Sequence, residues 1–446
     1  MLERLFSLSA HGTTARTEVL AGVTTFLTMA YIVFVQPAVL STDFAGKPTG
    51  LDFNAVLVAT CVASAFASIL MGMYAGYPIA LAPGMGENFF FVSVVMGLTA
   101  LGVANSWQTA LGMVFLSGVA FIVMTLIRVR EAVIDAISPS MRSGIAVGIG
   151  IFIAFIGLRN GAVIVAKAGT VIGLNPQLVS ADVGVFAVGL VVAAVLSARR
   201  VRGALVWGII ASVCLAVAFG KVHVAGVFGL PDIGRQAAFA LDIRGALKPE
   251  LIPFIVVFLF MGLFDTVGTL VGVAEQANLL ENGRLARASR ALLTDATGIT
   301  VGACLGTSTV TCYVESAAGV AAGGRTGLTS VVAGLLFLVA LLFSPLVGVV
   351  ARYSPITAPA LVVVGAMMMR QATKVDWEDP TESIPAFLTM IAVPLSYSIA
   401  DGLAIGFASY PVIKVLAGRW RDLRWLSAVM AVLLVAYFVF VRTRLA

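Results

Sequence analysis

Charge is scarce in this chain. Of 446 residues, 28 are Lys or Arg and 22 are Asp or Glu, so 11% are charged while 60% are hydrophobic. Soluble domains carry about 25% charged and about 45–50% apolar residues, so this balance excludes a soluble globular protein and indicates an integral membrane protein. Histidine is scarcer still. His11 and His223 stand far apart near segment ends, which argues against a His-based metal site or proton relay. The four cysteines, Cys61, Cys214, Cys304 and Cys312, lie in apolar segments without metal-ligand spacing and read as buried small residues. There is no GxxxxGK[ST] phosphate loop and no soluble domain to hold one, so an ATP-driven pump is unsupported. No metal-ligand cluster or nucleophile–base pair falls in the apolar runs, which sets aside a membrane-embedded enzyme; no cofactor is expected. The N-terminal "MLERLFSLSAHGTTARTEV" lacks an apolar h-region and a cleavage site, so no signal peptide is expected and the first span serves for insertion.

What the chain has in abundance is apolar sequence, with 45 glycines and a mean hydropathy of +1.04. At ~20 residues per spanning helix, about 14 spans are expected. The net charge of +6 comes from short basic clusters between apolar runs: "RVR" at 128–130, "RRVR" at 199–202, Arg284/Arg287/Arg290 and Arg419/Arg421/Arg424. That is the pattern of cytoplasmic loops, and it explains the basicity without a nucleic-acid partner. The longest polar interruption, 221–249, divides the chain near its middle. Two halves of about seven spans each follow, and because seven is odd the second half would be inserted upside down, a device of transporters. Residues 384–415, broken around Pro394 and "SYSIADG", read as one kinked helix or two short ones.

Inverted-repeat carriers mark their substrate site with a pair of broken segments at matching positions. Such a pair is present: "YPIALAPGMGENFFF" (77–91), interrupted by Pro78, Pro83, Gly84 and Gly86, and 306–322, where "TSTVTCYV" is β-branched and polar before "ESAAGVA" turns helical. Each reads as a short extended piece followed by a half-helix, tolerated at membrane depth only where protein or a water-filled cavity satisfies the backbone.

Four acids stand alone in long uncharged stretches. Glu87 is the only charge between Asp52 and Arg128, Asp265 between Glu250 and Glu275, Glu315 between Asp295 and Arg325, and Asp401 between Glu382 and Lys414. An acid at the centre of a span costs about 2.5–3.5 kcal/mol on insertion scales, so several together point to function. Each also has a plain reading, in which it sits near a helix end, reaches water or caps a half-helix. An unpaired carboxylate in an apolar setting can take up and release a proton. It can equally accept two parallel hydrogen bonds from a neutral ligand edge with adjacent N–H groups, as amides, amidines and nucleobases present. Phe89, Phe90 and Phe91 could offer a flat face for a ring, or simply pack. Gly84 and Gly86 permit close backbone approach, half-helix N–H groups bind acceptors, and Asn88 offers both donor and acceptor. Together these describe a pocket for a small, flat, polar heterocycle.

The motifs "EVLAGVTTFLTMAYIVFVQP" (18–37), "YPIALAPGMG" (77–86), "FDTVGTLVGVAEQANLL" (264–280), "GTSTVTCYVESAAGVAAGGRTG" (306–327) and "ITAPALVVVGAMM" (356–368) span nearly the whole chain. They resemble the AzgA-like branch of the nucleobase–ascorbate transporter superfamily, the adenine, guanine and hypoxanthine permeases. The resemblance implies an all-α polytopic fold of about 14 segments in a seven-plus-seven inverted repeat, with two short β-strands in segments three and ten. A core domain would comprise 1–130 and 250–350, and a gate domain 131–220 and 356–446. It implies import of a purine nucleobase by proton symport, with an elevator-like movement of core against gate. In this scheme Glu315 binds the base, with Asn88, Glu87, Gly86, Phe89 and Val314 around it. Asp265, with Glu315 and Glu87, supports proton coupling. The partners are then the nucleobase, protons and the lipid bilayer, with a homodimer as an optional assembly. The expected location is the plasma (bacterial inner) membrane, multi-pass, with a cytoplasmic N-terminus.

Three positions depart from the family pattern. Gly262 stands where a second aspartate is usual, Glu87 where "GMGENF" replaces "GMGLNA", and Asp401 where a neutral residue is common. Glu87 is therefore expected to assume part of the missing aspartate's role from the opposite segment, which could shift preference to another purine or another nitrogenous solute. An anion carrier or channel on the same fold is the competing function, opposed by the lone acids. Sodium is the competing coupling ion.

Overall fold

In a computed structural model of the 446-residue chain, the described residues are 2–44, 46–127, 138–167, 171–223, 226–232, 237–276, 280–281, 284–285, 287–351, 353–423, 427–429, 431–432 and 434–435. The "RVR" cluster at 128–130, Arg424 and most of the apolar run 425–441 lie outside them. Among the described residues, six helical stretches are long and apolar enough to cross a membrane: Ala15–Ser41, Phe53–Ala75, Ser106–Leu126, Pro139–Asn160, Ala181–Ala198 and Pro249–Val267. Met85–Ala100, Ala204–Ala218 and Gly327–Ala340 are shorter apolar helices. The 384–415 region forms two helices, Pro380–Ser396 and Ile399–Leu416. They join at Tyr397, a non-glycine residue in the left-handed region at φ 56°.

Helix starts carry the caps that polar residues provide. The Thr14 hydroxyl accepts from the Thr17 amide at 3.2 Å and the Ser138 hydroxyl from Met141 at 3.1 Å. The Asp52 carboxylate accepts from Ala55 at 3.0 Å and that of Asp379 from Thr381 at 2.9 Å. Each satisfies an amide that the first helical turn leaves without an intrahelical partner.

The helices pack in two groups. Ala15–Met29, Phe53–Leu70, Ser106–Leu126, Ala288–Leu305 and Gly327–Ala340 contact one another. So do Pro139–Asn160, Ala181–Ala198, Ala358–Met368, Pro380–Ser396 and Ile399–Leu416. Small residues permit this, since backbones in lipid gain by approaching closely. A Cβ on Gly327 would lie 1.9 Å from the Gly72 carbonyl oxygen, and one on Gly365 2.4 Å from that of Gly150. The Met85–Ala100 helix touches both groups, reaching Ser106–Leu126 in one and Pro139–Asn160 in the other. It therefore lies on the seam.

Two extended pieces cross inside the first group. Strand β1 (Leu81–Pro83) pairs antiparallel with β6 (Val310–Cys312), register Leu81 to Cys312 and Pro83 to Val310. The ladder continues through the Gly84 amide donating to Thr309 at 2.9 Å and the Tyr313 amide donating to Ala80 at 3.0 Å. The Ser68 hydroxyl accepts from the Leu81 amide at 2.9 Å and lies 3.1 Å from the Leu81 carbonyl. The Ser330 hydroxyl donates to the Ile79 carbonyl at 2.7 Å. Protein groups thus satisfy backbone that lipid could not. Half-helices follow each strand, Met85–Ala100 after β1 and Ser316–Ala321 after β6.

Two further hairpins, β2 (Ile164–Lys167) with β3 (Val171–Leu174) and β4 (Leu280–Glu281) with β5 (Arg284–Leu285), lie between spans. One expectation is corrected: Cys61 and Cys312 are buried and Cys304 is intermediate, but Cys214 is exposed. It sits on the outer side of Ala204–Ala218, whose all-apolar surface accommodates a thiol as well as the interior does.

Candidate functional site

The crossing of β1 and β6 brings together residues of the Tyr31–Ser41, Met85–Ala100, Ile252–Gln276, Ala288–Leu305 and Ser316–Ala321 helices. Glu315 immediately precedes the Ser316–Ala321 half-helix and is partly exposed, beside Val314 at 58% exposure. Its Oε1 accepts a hydrogen bond from the Tyr31 hydroxyl at 3.0 Å, and its carbonyl lies 3.4 Å from the Thr28 hydroxyl, which donates to Thr25 at 2.8 Å. Asp265 lies in the middle of the Ile252–Gln276 helix and is exposed. Thr311 of β6 lies beside it. The Thr311 hydroxyl also lies 2.9 Å from that of Thr266, which donates to Asp295 Oδ2 at 2.6 Å. The Cys312 thiol donates to Asp295 Oδ1 at 3.6 Å.

Glu87 occupies the first turn of Met85–Ala100, where a carboxylate is favoured by the helix dipole, and is 3% exposed. Its side chain turns back over the helix start: a Cβ on Gly84 would come within 2.3 Å of Glu87 Oε2 and 2.8 Å of Thr311 Cγ2. Glycine at 84 is what lets the carboxylate lie against β6. Glu87, Asp265, Asp295 and Glu315 act on one another electrostatically. Among the described residues, none of the four forms an ion pair with Lys or Arg.

The remaining candidates are placed differently. Asn88 is fully buried, its amide donating to Gln36 and its carbonyl accepting from Ser308. Gln36 in turn donates to Thr307 at 3.1 Å and Ser308 at 3.0 Å. Asn88 thus ties the Tyr31–Ser41 helix, the Met85–Ala100 helix and the loop before β6 into one buried network. Gly86 faces the seam, where a Cβ would lie 2.9 Å from Ile149 Cγ2. Phe89 packs across the same seam, 6.2 Å from Phe44 and 6.1 Å from Phe152 between ring centroids. Tyr397 closes that cluster, edge-on to Phe44, Phe152 and Phe155, and its hydroxyl accepts from Arg159 at 2.9 Å. Asp401 sits in the first turn of Ile399–Leu416, capped by Ser398, away from the crossing strands.

Several polar residues at the crossing escaped sequence reasoning. Asp295 enters the sequence reading only as the boundary of the uncharged stretch around Glu315, though "LLTDATGIT" surrounds it with apolar and small residues that signal burial. Tyr31 and Gln36 are the polar side chains of an otherwise apolar run, "YIVFVQP", and that isolation was their signal. Glu18 lay in the polar N-terminal stretch. It is fully buried and accepts from the Arg325 amide at 2.8 Å, the Thr326 amide at 3.3 Å and the Thr329 hydroxyl at 2.6 Å, closing the start of Gly327–Ala340.

A polytopic helical chain with paired strand–half-helix segments converging on uncompensated acids is a membrane transporter in architecture. Its fold matches the transmembrane domain of a cyanobacterial transporter, BicA, with a TM-score of 0.64 at 16% identity, covering 88% of this chain and 97% of that one. The chain belongs to the permease family, whose model (Xan_ur_permease) matches residues 16–405. It is 45% identical to the adenine permease AdeQ of Escherichia coli over 433 residues, 97% of this chain and 95% of that protein. It is 42% identical to the guanine/hypoxanthine permease PbuG of Bacillus subtilis over 448 residues, 99% of this chain and 100% of that protein.

Proposed function

We propose that this permease imports a purine nucleobase by proton symport. The observation that carries the reading is Glu315: a partly exposed carboxylate at a half-helix start, beside Asp265, in a chain whose relatives include adenine and guanine/hypoxanthine permeases. A carboxylate accepts the N–H groups on a purine edge, and charge-assisted bonds of this kind are the strong ones. Val314 contacts the ring, and the amides at the start of Met85–Ala100 meet purine acceptors. Asn88 acts by fixing the half-helices against each other, and Phe89 by closing the seam behind the ligand. The coupled proton resides on Asp265, which neighbours the base-binding acid, or on Glu87, which neighbours Asp265.

The Gly262 and Glu87 departures fit one account. A Cβ at Gly262 would lie 3.5 Å from Thr309 Cγ2, and the Glu87 carboxylate lies against Thr311 of the same segment. Glu87 thus supplies, from the Met85–Ala100 helix, an acid that the Ile252–Gln276 helix lacks at Gly262. On this reading the chain has a core (1–130 and 250–350) and a gate (131–220 and 356–446) in a seven-plus-seven inverted repeat, supported by the packing of its helices in two groups, and transport is the sliding of one against the other. The protein resides in the bacterial inner membrane with its N-terminus cytoplasmic, as a monomer or homodimer. Uncompensated acids count against an anion carrier, whose substrate they would repel.

The test is uptake of labelled hypoxanthine, guanine and adenine by cells lacking their own purine carriers. It is repeated with uncoupler, in sodium-free buffer, and with unlabelled xanthine, uracil and cytosine as competitors. Uptake of a purine that collapses with the proton gradient and survives sodium removal supports the proposal. If no purine enters or competes, the substrate assignment fails; if sodium removal abolishes uptake, the coupling ion is wrong.

A further inference from the structure

A symporter crosses the membrane twice per cycle, once with its cargo and once without. On the loaded leg, Glu315 has purine N–H groups to bond. On the return leg the base and its proton have left, and an ionised carboxylate must travel through a low-dielectric passage. Such a group is costly unless it keeps a hydrogen-bond donor. The donor must come from the protein and must move with the acid.

One side chain meets both conditions. Tyr31 opens the Tyr31–Ser41 helix at the break after Ala15–Met29, is 1% exposed, and donates to Glu315 Oε1 at 3.0 Å. Its ring belongs to the core that also holds β1, so it is carried with the crossing strands. The neighbouring Tyr313 donates to the Pro83 carbonyl at 2.6 Å, which leaves that phenol's proton committed elsewhere. Thr28, three residues before Tyr31, lies 3.4 Å from the Glu315 carbonyl at the same helix break. Among the described residues Tyr31 is the side chain that donates to the Glu315 carboxylate, and it does so at Oε1, so the Oε2 edge is left for a ligand.

We infer that Tyr31 is a positioning residue that serves as the internal partner of Glu315 and makes the unloaded return of the carrier possible. The inference rests on the purine-symport reading. It separates two transport modes. In net uptake every cycle includes an unloaded return, whereas in exchange of external for internal purine both legs are loaded and Glu315 is always bonded to substrate.

The experiment uses the full-length protein in membrane vesicles and the Tyr31→Phe variant, which deletes only the hydroxyl. Labelled hypoxanthine, guanine or adenine, whichever the wild type takes up, is measured entering empty vesicles and vesicles preloaded with the same unlabelled base. A hydrogen bond to a charged group accounts for about 10- to 100-fold in an equilibrium, so net uptake should fall at least about tenfold while exchange stays within about twofold. Both rates come from the same preparation, so their ratio is independent of how much protein inserts. Equal loss of both modes, or loss of neither, overturns the inference, and so does a variant that fails to insert, which would place the hydroxyl in folding. Wild-type vesicles that take up no purine in either mode would instead overturn the reading on which it rests.

Discussion

Replacing Glu315 by glutamine keeps the shape of the side chain, substitutes an amide N–H₂ for one carboxylate oxygen and removes the charge. Tyr31 can still donate to the remaining oxygen, so the one side-chain hydrogen bond formed by Glu315 survives. Because the residue is partly exposed and unpaired with any cation among the described residues, no buried partner is orphaned. Folding should therefore be unaffected. Binding should not: where the carboxylate accepts a purine N–H, the amide presents a second donor, and two donors face each other. A hydrogen bond to a charged group contributes about 1.5–3 kcal/mol, so losing the one at the replaced oxygen costs about 10- to 100-fold in affinity. The assay is equilibrium binding of labelled purine to detergent-purified protein alongside uptake in cells, with thermal unfolding as the control. Near-normal binding and transport by Glu315→Gln, at a matched unfolding temperature, would refute the site. Loss of transport with a collapsed unfolding temperature would show that the acid is structural.

How far the site was legible in the sequence depended on what kind of signal each residue gave. The broken segments announced themselves through Pro83, Gly84 and the β-branched "TSTVTCYV", because backbone preferences are local, and they appear as β1 and β6 with a half-helix after each. Glu315, Asp265 and Glu87 were legible because a solitary charge in an apolar run is anomalous wherever it folds. Partnership was not legible. The Tyr31 to Glu315 contact joins positions 284 apart in sequence, and that of Asn88 to Ser308 joins positions 220 apart. Polar side chains such as Tyr31, Gln36 and Ser308 are individually unremarked in a span, and only packing reveals that they meet. The same limit explains Asn88 and Phe89. Each has the chemistry to touch a base, yet the amide is engaged on both ends and the ring is locked among Phe44 and Phe152. Asp295 was hidden because Arg290 lies five residues before it, so it does not stand alone as the other acids do. The helix that begins at Ala288 carries it a full turn or more inward, to Thr266 and Cys312.

The remaining predictions test the surroundings of the site. Glu87→Gln should change apparent purine affinity and the dependence of uptake on the proton gradient together, each several-fold; if both are unchanged, Glu87 does not compensate for Gly262. Glu18→Ala should cost about 2–4 kcal/mol, because two backbone amides and the Thr329 hydroxyl lose their acceptor in a buried place. Its unfolding temperature in detergent should drop by several degrees, and an unchanged value would mean water replaces the carboxylate. Asp379, at the start of Pro380–Ser396, gives a pH-dependent case. Burial raises its carboxyl, but hydrogen bonds from Thr381 and Arg419, with Lys414 nearby, outweigh this and bring it down to about 2. An unfolded aspartate titrates near 3.9, so the folded state gains stability from this group only while it is ionised. That gain is complete above the unfolded value, about half lost by pH 3, and gone below about 2. Asp379→Asn should thus unfold at a lower temperature than wild type at pH 7, and the gap should narrow at pH 3. A gap of constant width would place the effect in the lost geometry of the cap, because only an ionised partner of Arg419 and Lys414 gives it a pH dependence.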